Sequence, residues 1–118
     1  MIGVSKLLID KEEPSDELRY GSRGHPGETP SAANRPIVVY NCVKRCNLRC
    51  VHCYAHAGAG EDPDTLNTRE AKNMIDSTAD FGCPVMLFSG GEPLLREDLF
   101  DLMHYTREKG MRSTVSTN

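Results

Sequence analysis

Four of the five cysteines in this chain, Cys42, Cys46, Cys50 and Cys53, fall within twelve residues. A disulfide framework spreads its cysteines along the chain to close useful loops. A tight cluster in a chain kept reduced points instead to a metal. The segment Cys46-Asn47-Leu48-Arg49-Cys50-Val51-His52-Cys53 has the spacing C-x3-C-x2-C. Thiolates so close in sequence can wrap one corner of a cubane iron–sulfur cluster, each sulfur on a different iron. A four-iron cube held by three cysteines keeps one iron open, and an open position separates a reactive metal from a sealed structural one. Zinc is the other reading, with Cys42, His52 or His56 as a fourth ligand. Zinc knuckles generally use two short Cys pairs and a longer spacer, which a single crowded triad matches poorly. Cys42 reads as a small apolar residue closing a strand, and Cys83 as a buried thiol.

The cysteine loop follows a short β-branched run, Ile37-Val38-Val39-Tyr40, which reads as a buried parallel strand. Beyond the loop, Asn67 and Glu70 form a capping-box pair, and Ala71, Met74, Ile75 and Thr78 recur at helical spacing. Gly82 and Pro84 end that helix. Val85-Met86-Leu87-Phe88 is a second strand running into Ser89-Gly90-Gly91-Glu92-Pro93. Leu95, Leu99, Leu102, Met103 and Thr106 mark the apolar face of a second helix closed by Lys109-Gly110, and Met111 to Thr117 is a third strand. The expected fold class is therefore α/β: about three parallel strands with crossover helices. Ligands in such folds gather at the carboxyl ends of the strands, so the cysteine loop and the Gly-Gly-Glu-Pro turn should face each other.

The preceding residues, 1–35, read as an arm. From Tyr20 to Pro36 the chain is rich in Gly and Pro with almost nothing apolar, a composition that cannot offset backbone ordering. No internal repeat is present. With 14 Lys and Arg against 17 Asp and Glu, the net charge of −3 argues against a nucleic-acid partner. No apolar run approaches the roughly 18 residues needed to cross a bilayer, and Met1 to Lys11 lacks the features of a signal peptide, so a cytoplasmic location is expected. Lys44, Arg45 and Arg49 carry no assignment, and Glu61-Asp62-Pro63-Asp64 reads as a solvated loop.

Asn41 to Tyr54 resembles the signature loop of the radical S-adenosylmethionine (radical SAM) superfamily, which follows the first strand of a (βα) barrel. Ser89 to Pro93 resembles the second motif of that family. The resemblance implies a [4Fe–4S] cluster on Cys46, Cys50 and Cys53, with S-adenosylmethionine on its open iron. It also implies that His52 contacts the adenine, that Ser89, Gly90, Gly91 and Glu92 bind the amino group of the methionine half, and that Tyr54, Ser116 and Asn118 line the same pocket. The implied chemistry is reductive cleavage of S-adenosylmethionine to a 5′-deoxyadenosyl radical, fed by a low-potential electron donor and spent on a small-molecule substrate.

Arg35-Pro-Ile-Val-Val-Tyr-Asn41, together with Met1 to Leu8 and Glu13 to Gly21, resembles the alternative haem biosynthesis group, with a didecarboxysirohaem deacetylase-like arm. That resemblance implies an iron tetrapyrrole as substrate; a peptide- or cofactor-maturation enzyme of the same family is the alternative. Residues 36–118 would then be the first half of the core domain, and a truncated frame is expected. Two other classes remain: a non-catalytic zinc or electron-transfer iron–sulfur module, and a truncated pseudoenzyme.

Overall fold

The computed structural model describes residues 35–60 and 62–118. The expected arm therefore lies, Arg35 apart, outside the described residues. The chain forms a three-stranded parallel sheet in the order β1-β2-β3, with β1 at Val38–Val43, β2 at Val85–Gly90 and β3 at Arg112–Val115. Helix α1 (Thr68–Asp80) joins β1 to β2, and α2 (Leu99–Glu108) joins β2 to β3.

Local chemistry accounts for the helix ends. The Asn67 side chain accepts from the Glu70 N–H at 3.0 Å, while the Glu70 carboxylate accepts from the Asn67 N–H at 2.9 Å. This reciprocal cap satisfies two of the donors a helix start leaves over. The chain leaves α1 through Gly82 at φ +85° and α2 through Gly110 at φ +81°, left-handed positions that glycine occupies without a Cβ clash.

Both helices cover one face of the sheet. Cys42, Met86 and Phe88 from the strands meet Ala71 and Ile75 of α1 and Leu99 and Leu102 of α2 in one buried core. Tyr40 packs edge-on against Phe88, with ring centroids 5.8 Å apart. On α1 and α2 alike, apolar residues at helical spacing have produced a buried stripe. Among the described residues no helix covers the other sheet face, where Val39 is 54% exposed. Consecutive parallel strands with both helices on one face are the arrangement expected of a stretch of (βα) barrel wall.

The elements differ from expectation at three points. β1 continues past Tyr40 to Val43, because β2 itself runs on to Gly90 and keeps a partner beside it, with a register slip between Asn41 and Val43. β3 is shorter: the Ser116 N–H still donates to the Phe88 carbonyl of β2, but Thr117 and Asn118 turn to bond Glu92. Leu95 belongs to a separate 3-10 turn, Pro93–Leu95, ahead of α2.

Candidate functional site

The cysteine loop is closed at its base. The Cys46 N–H donates to the Gly58 carbonyl at 2.8 Å and the Gly58 N–H to the Lys44 carbonyl at 3.2 Å, so the chain leaves and returns at one point. Between them the loop stands out from the sheet, with Cys50 exposed and Cys46 and Cys53 half-buried. The thiols have polar neighbours. The Leu48 N–H donates to Cys46 Sγ and the Ala57 N–H to Cys53 Sγ, each at 3.4 Å. The Cys46 thiol donates to Asn47 Oδ1 at 3.9 Å.

One cavity of about 300 Å³ joins this loop to the strand ends. Its wall includes Cys46, Cys50, His52, Cys53 and Tyr54 from the loop, Ser89, Gly90 and Gly91 from the end of β2, and Ser116, Thr117 and Asn118 from beyond β3. The structure thus brings together every residue that the family resemblance assigns to the site except Glu92. A side-chain tie crosses the space as well: the Tyr54 hydroxyl lies 2.9 Å from Ser89 Oγ and donates to Asn41 Oδ1 at 3.2 Å. Asn41 and Ser89 are register partners on β1 and β2.

Glu92 lies beneath that wall, 4% exposed. Its carboxylate accepts from the Leu94 N–H at 2.9 Å, the Thr117 hydroxyl at 2.7 Å and the Asn118 N–H at 2.9 Å. Burial pushes its carboxyl upward, but those three hydrogen bonds outweigh it and hold the group below the usual carboxylate range. Glu92 therefore fastens the end of β3 to the end of β2.

The glycines also work within the chain. Gly90 has φ +125°, and a Cβ there would strike the Val43 carbonyl oxygen; a Cβ on Gly91 would strike that of Arg45. Closeness is what lets the Gly91 N–H reach the Val43 carbonyl at 2.7 Å and the Glu92 N–H reach that of Arg45 at 2.9 Å. The paired glycines dock the turn onto the root of the cysteine loop.

No spacing in the sequence had marked Arg96, which anchors the same region from below. Its guanidinium donates to the Cys42 carbonyl at 2.6 Å, the Leu66 carbonyl at 3.0 Å and the Tyr40 hydroxyl at 3.2 Å, and pairs with Asp98 at 2.6 Å. Its target at Cys42 falls where the β1 register slips, just before the loop begins. The one legible hint was an Asp two residues after an Arg at the mouth of a helix.

Cys42 separates cleanly from the triad. It is fully buried in the helix-facing core, and burial pushes its thiol up to about 11. His56, with φ +49°, lines a different recess with Lys44 and Asp62. Asp62 is not simply solvated, because it pairs with Lys44 at 2.9 Å. Among the described residues, no three Cys, His, Asp or Glu side chains are arranged around a single metal ion. No helix among the described residues is long and apolar enough to cross a membrane.

The wall-of-barrel fold with a cysteine loop at the strand ends defines a class, and sequence comparison agrees with it. The radical SAM superfamily matches residues 40–118. The chain belongs to that superfamily. Over its whole length it is 53% identical to the Fe-coproporphyrin III synthase of Methanosarcina barkeri, 31% of which it covers. It is 38% identical to the AdoMet-dependent heme synthase of Nitratidesulfovibrio vulgaris over 70% of the chain and 22% of the relative. It is also 38% identical to the pre-heme d1 synthase of Dinoroseobacter shibae over 71% of the chain and 21% of the relative. The chain thus spans about a third or less of these relatives. No solved structure matches it.

Proposed function

We propose that Cys46, Cys50 and Cys53 hold a [4Fe–4S] cluster and that the adjoining cavity takes S-adenosylmethionine. One observation carries this reading: the three thiols, His52 and the Gly90-Gly91 turn share one cavity at the carboxyl edge of a parallel sheet. The donor set suits the group. Backbone N–H groups lie against the sulfurs of Cys46 and Cys53, and such donors suit the charge of iron-ligating sulfur. When bound, the cluster supplies one electron for cleavage of S-adenosylmethionine to methionine and a 5′-deoxyadenosyl radical.

The residues of the chain divide the remaining work. His52 and Tyr54 flank the cavity where an adenine would lie, and the carbonyls around Gly90 and Gly91 suit an ammonium group. Glu92 and Arg96 hold the surrounding backbone still. Residues 36–118 form the first part of a barrel domain, preceded by an arm at 1–35.

The names of the relatives support a role in haem biosynthesis, with an iron tetrapyrrole as the substrate class; a low-potential electron donor and a cytoplasmic setting complete the proposal. Anaerobic reconstitution with iron and sulfide should give the EPR signal of a reduced [4Fe–4S] cluster, which changes when S-adenosylmethionine is added. A chain that takes up zinc alone, or a cluster whose signal ignores S-adenosylmethionine, would refute the assignment. The tetrapyrrole role predicts that an added iron tetrapyrrole perturbs that EPR signal, and a cluster indifferent to it would remove this part of the reading.

A further inference from the structure

Three stretches far apart in sequence meet beside Cys46: the cysteine loop, the turn after β2 and the residues after β3. The Asn118 side-chain amide donates to Asn47 Oδ1 at 3.0 Å and lies 3.9 Å from Cys46 Sγ, within reach of the large sulfur acceptor. Its own backbone N–H is held by Glu92 Oε2 at 2.9 Å, and the neighbouring Thr117 hydroxyl by Glu92 Oε1 at 2.7 Å. Glu92 is buried and fixed in turn by the Leu94 N–H. A buried acid therefore places a side-chain donor against one sulfur of the triad.

We propose that the Asn118 amide is a hydrogen-bond donor to the Cys46 sulfur that raises the reduction potential of the cluster, with Glu92 as the positioning residue behind it. This rests on the cluster reading above. Reduction adds negative charge to an iron–sulfur cluster, and an N–H aimed at a ligating sulfur stabilises that charge. Cys46 and Cys53 each also receive a backbone donor, from Leu48 and Ala57, which side-chain replacement leaves in place. Asn118 is thus the adjustable donor, supplied by the end of a different strand. The Asn118 amide carries two N–H donors, so one holds Asn47 Oδ1 while the other faces the sulfur.

The test is an EPR-monitored redox titration of the reconstituted chain, comparing wild type with Asn118→Leu and Glu92→Gln. Asn118 is exposed, and leucine matches its size without a donor. The expected result is full cluster content in Asn118→Leu with a more negative midpoint potential. Glu92→Gln should shift the same way by less, because the amide is loosened and not removed. If wild type takes up no cluster, the cluster reading falls and this proposal falls with it. If wild type carries its cluster but both variants titrate at the wild-type potential, only the proposal is overturned. Should Asn118→Leu fail to load, Glu92→Gln decides: a wild-type potential there overturns the proposal, and a negative shift supports it.

Discussion

The cysteine loop and the turn from Ser89 to Asp98 meet across one cavity, yet they are built in opposite ways. The loop is exposed, tied at its base by backbone bonds and across its top by the Tyr54 hydroxyl. The turn buries Ser89, Glu92 and Pro93 and leaves the Arg96 side chain 7% exposed. The groups that would meet a cofactor are thus left accessible, while the groups that fix their positions are taken out of water. Stability and ligand uptake should therefore separate: damage to the turn unfolds, and damage to the loop disarms.

Arg96→Met should show the largest effect on folding. It leaves the Cys42 and Leu66 carbonyls and Asp98 without their shared partner, a loss of about 3–5 kcal/mol for breaking a buried pair. Urea unfolding followed by circular dichroism would measure it, and a loss under about 1 kcal/mol would put the anchor elsewhere. Gly91→Ala should follow at roughly 2–3 kcal/mol, because the new methyl meets backbone that cannot swing aside.

Glu92→Gln should cost about 2 kcal/mol near neutral pH, through weakened charge-assisted bonds. It carries a pH signature. The folded carboxyl is depressed, so its contribution is present above the unfolded carboxylate value of about 4.3 and is lost as pH falls through the lower folded value. The variant should lose less stability than wild type over that acid range. Equal acid sensitivity in the two proteins would assign the acid limb to other carboxylates, such as Asp98, which Arg96 and Thr68 hold low against the upward push of burial.

On the loop side the order reverses. Tyr54→Phe removes two hydroxyl contacts at a residue 68% exposed, about 1 kcal/mol at most, and should chiefly weaken retention of the cluster. Cys50→Ser should change stability by no more than about 0.5 kcal/mol, as an exposed substitution does, while abolishing cluster uptake. Iron and sulfide analysis beside a thermal melt would test both; a Cys50→Ser chain that keeps its full iron content would break the comparison.

Much of this was legible in the chain itself. The Asn67–Glu70 cap and the apolar stripe through Ala71 and Ile75 are local patterns, and local patterns survive reading in one dimension. The order of the strands followed from alternation with helices. The strand ends were less clear, since where β1 and β3 stop depends on neighbours: β2 extends the first, and the bonds to Glu92 end the last. Arg96 escaped notice because its partners at Tyr40, Cys42 and Leu66 lie 30 to 56 residues away.

The sequence by itself determined the spacing of the three cysteines, the class of fold and the family, because each is written in residues close together along the chain. Only the tertiary structure decided what the residues around them do. Gly90 and Gly91 make room for the backbone of Val43 and Arg45, Glu92 faces the chain, and Asn118 arrives beside Cys46. These roles depend on which carbonyl, amide or sulfur comes within about 3–4 Å, and hydrogen bonds and steric contacts act only over that range.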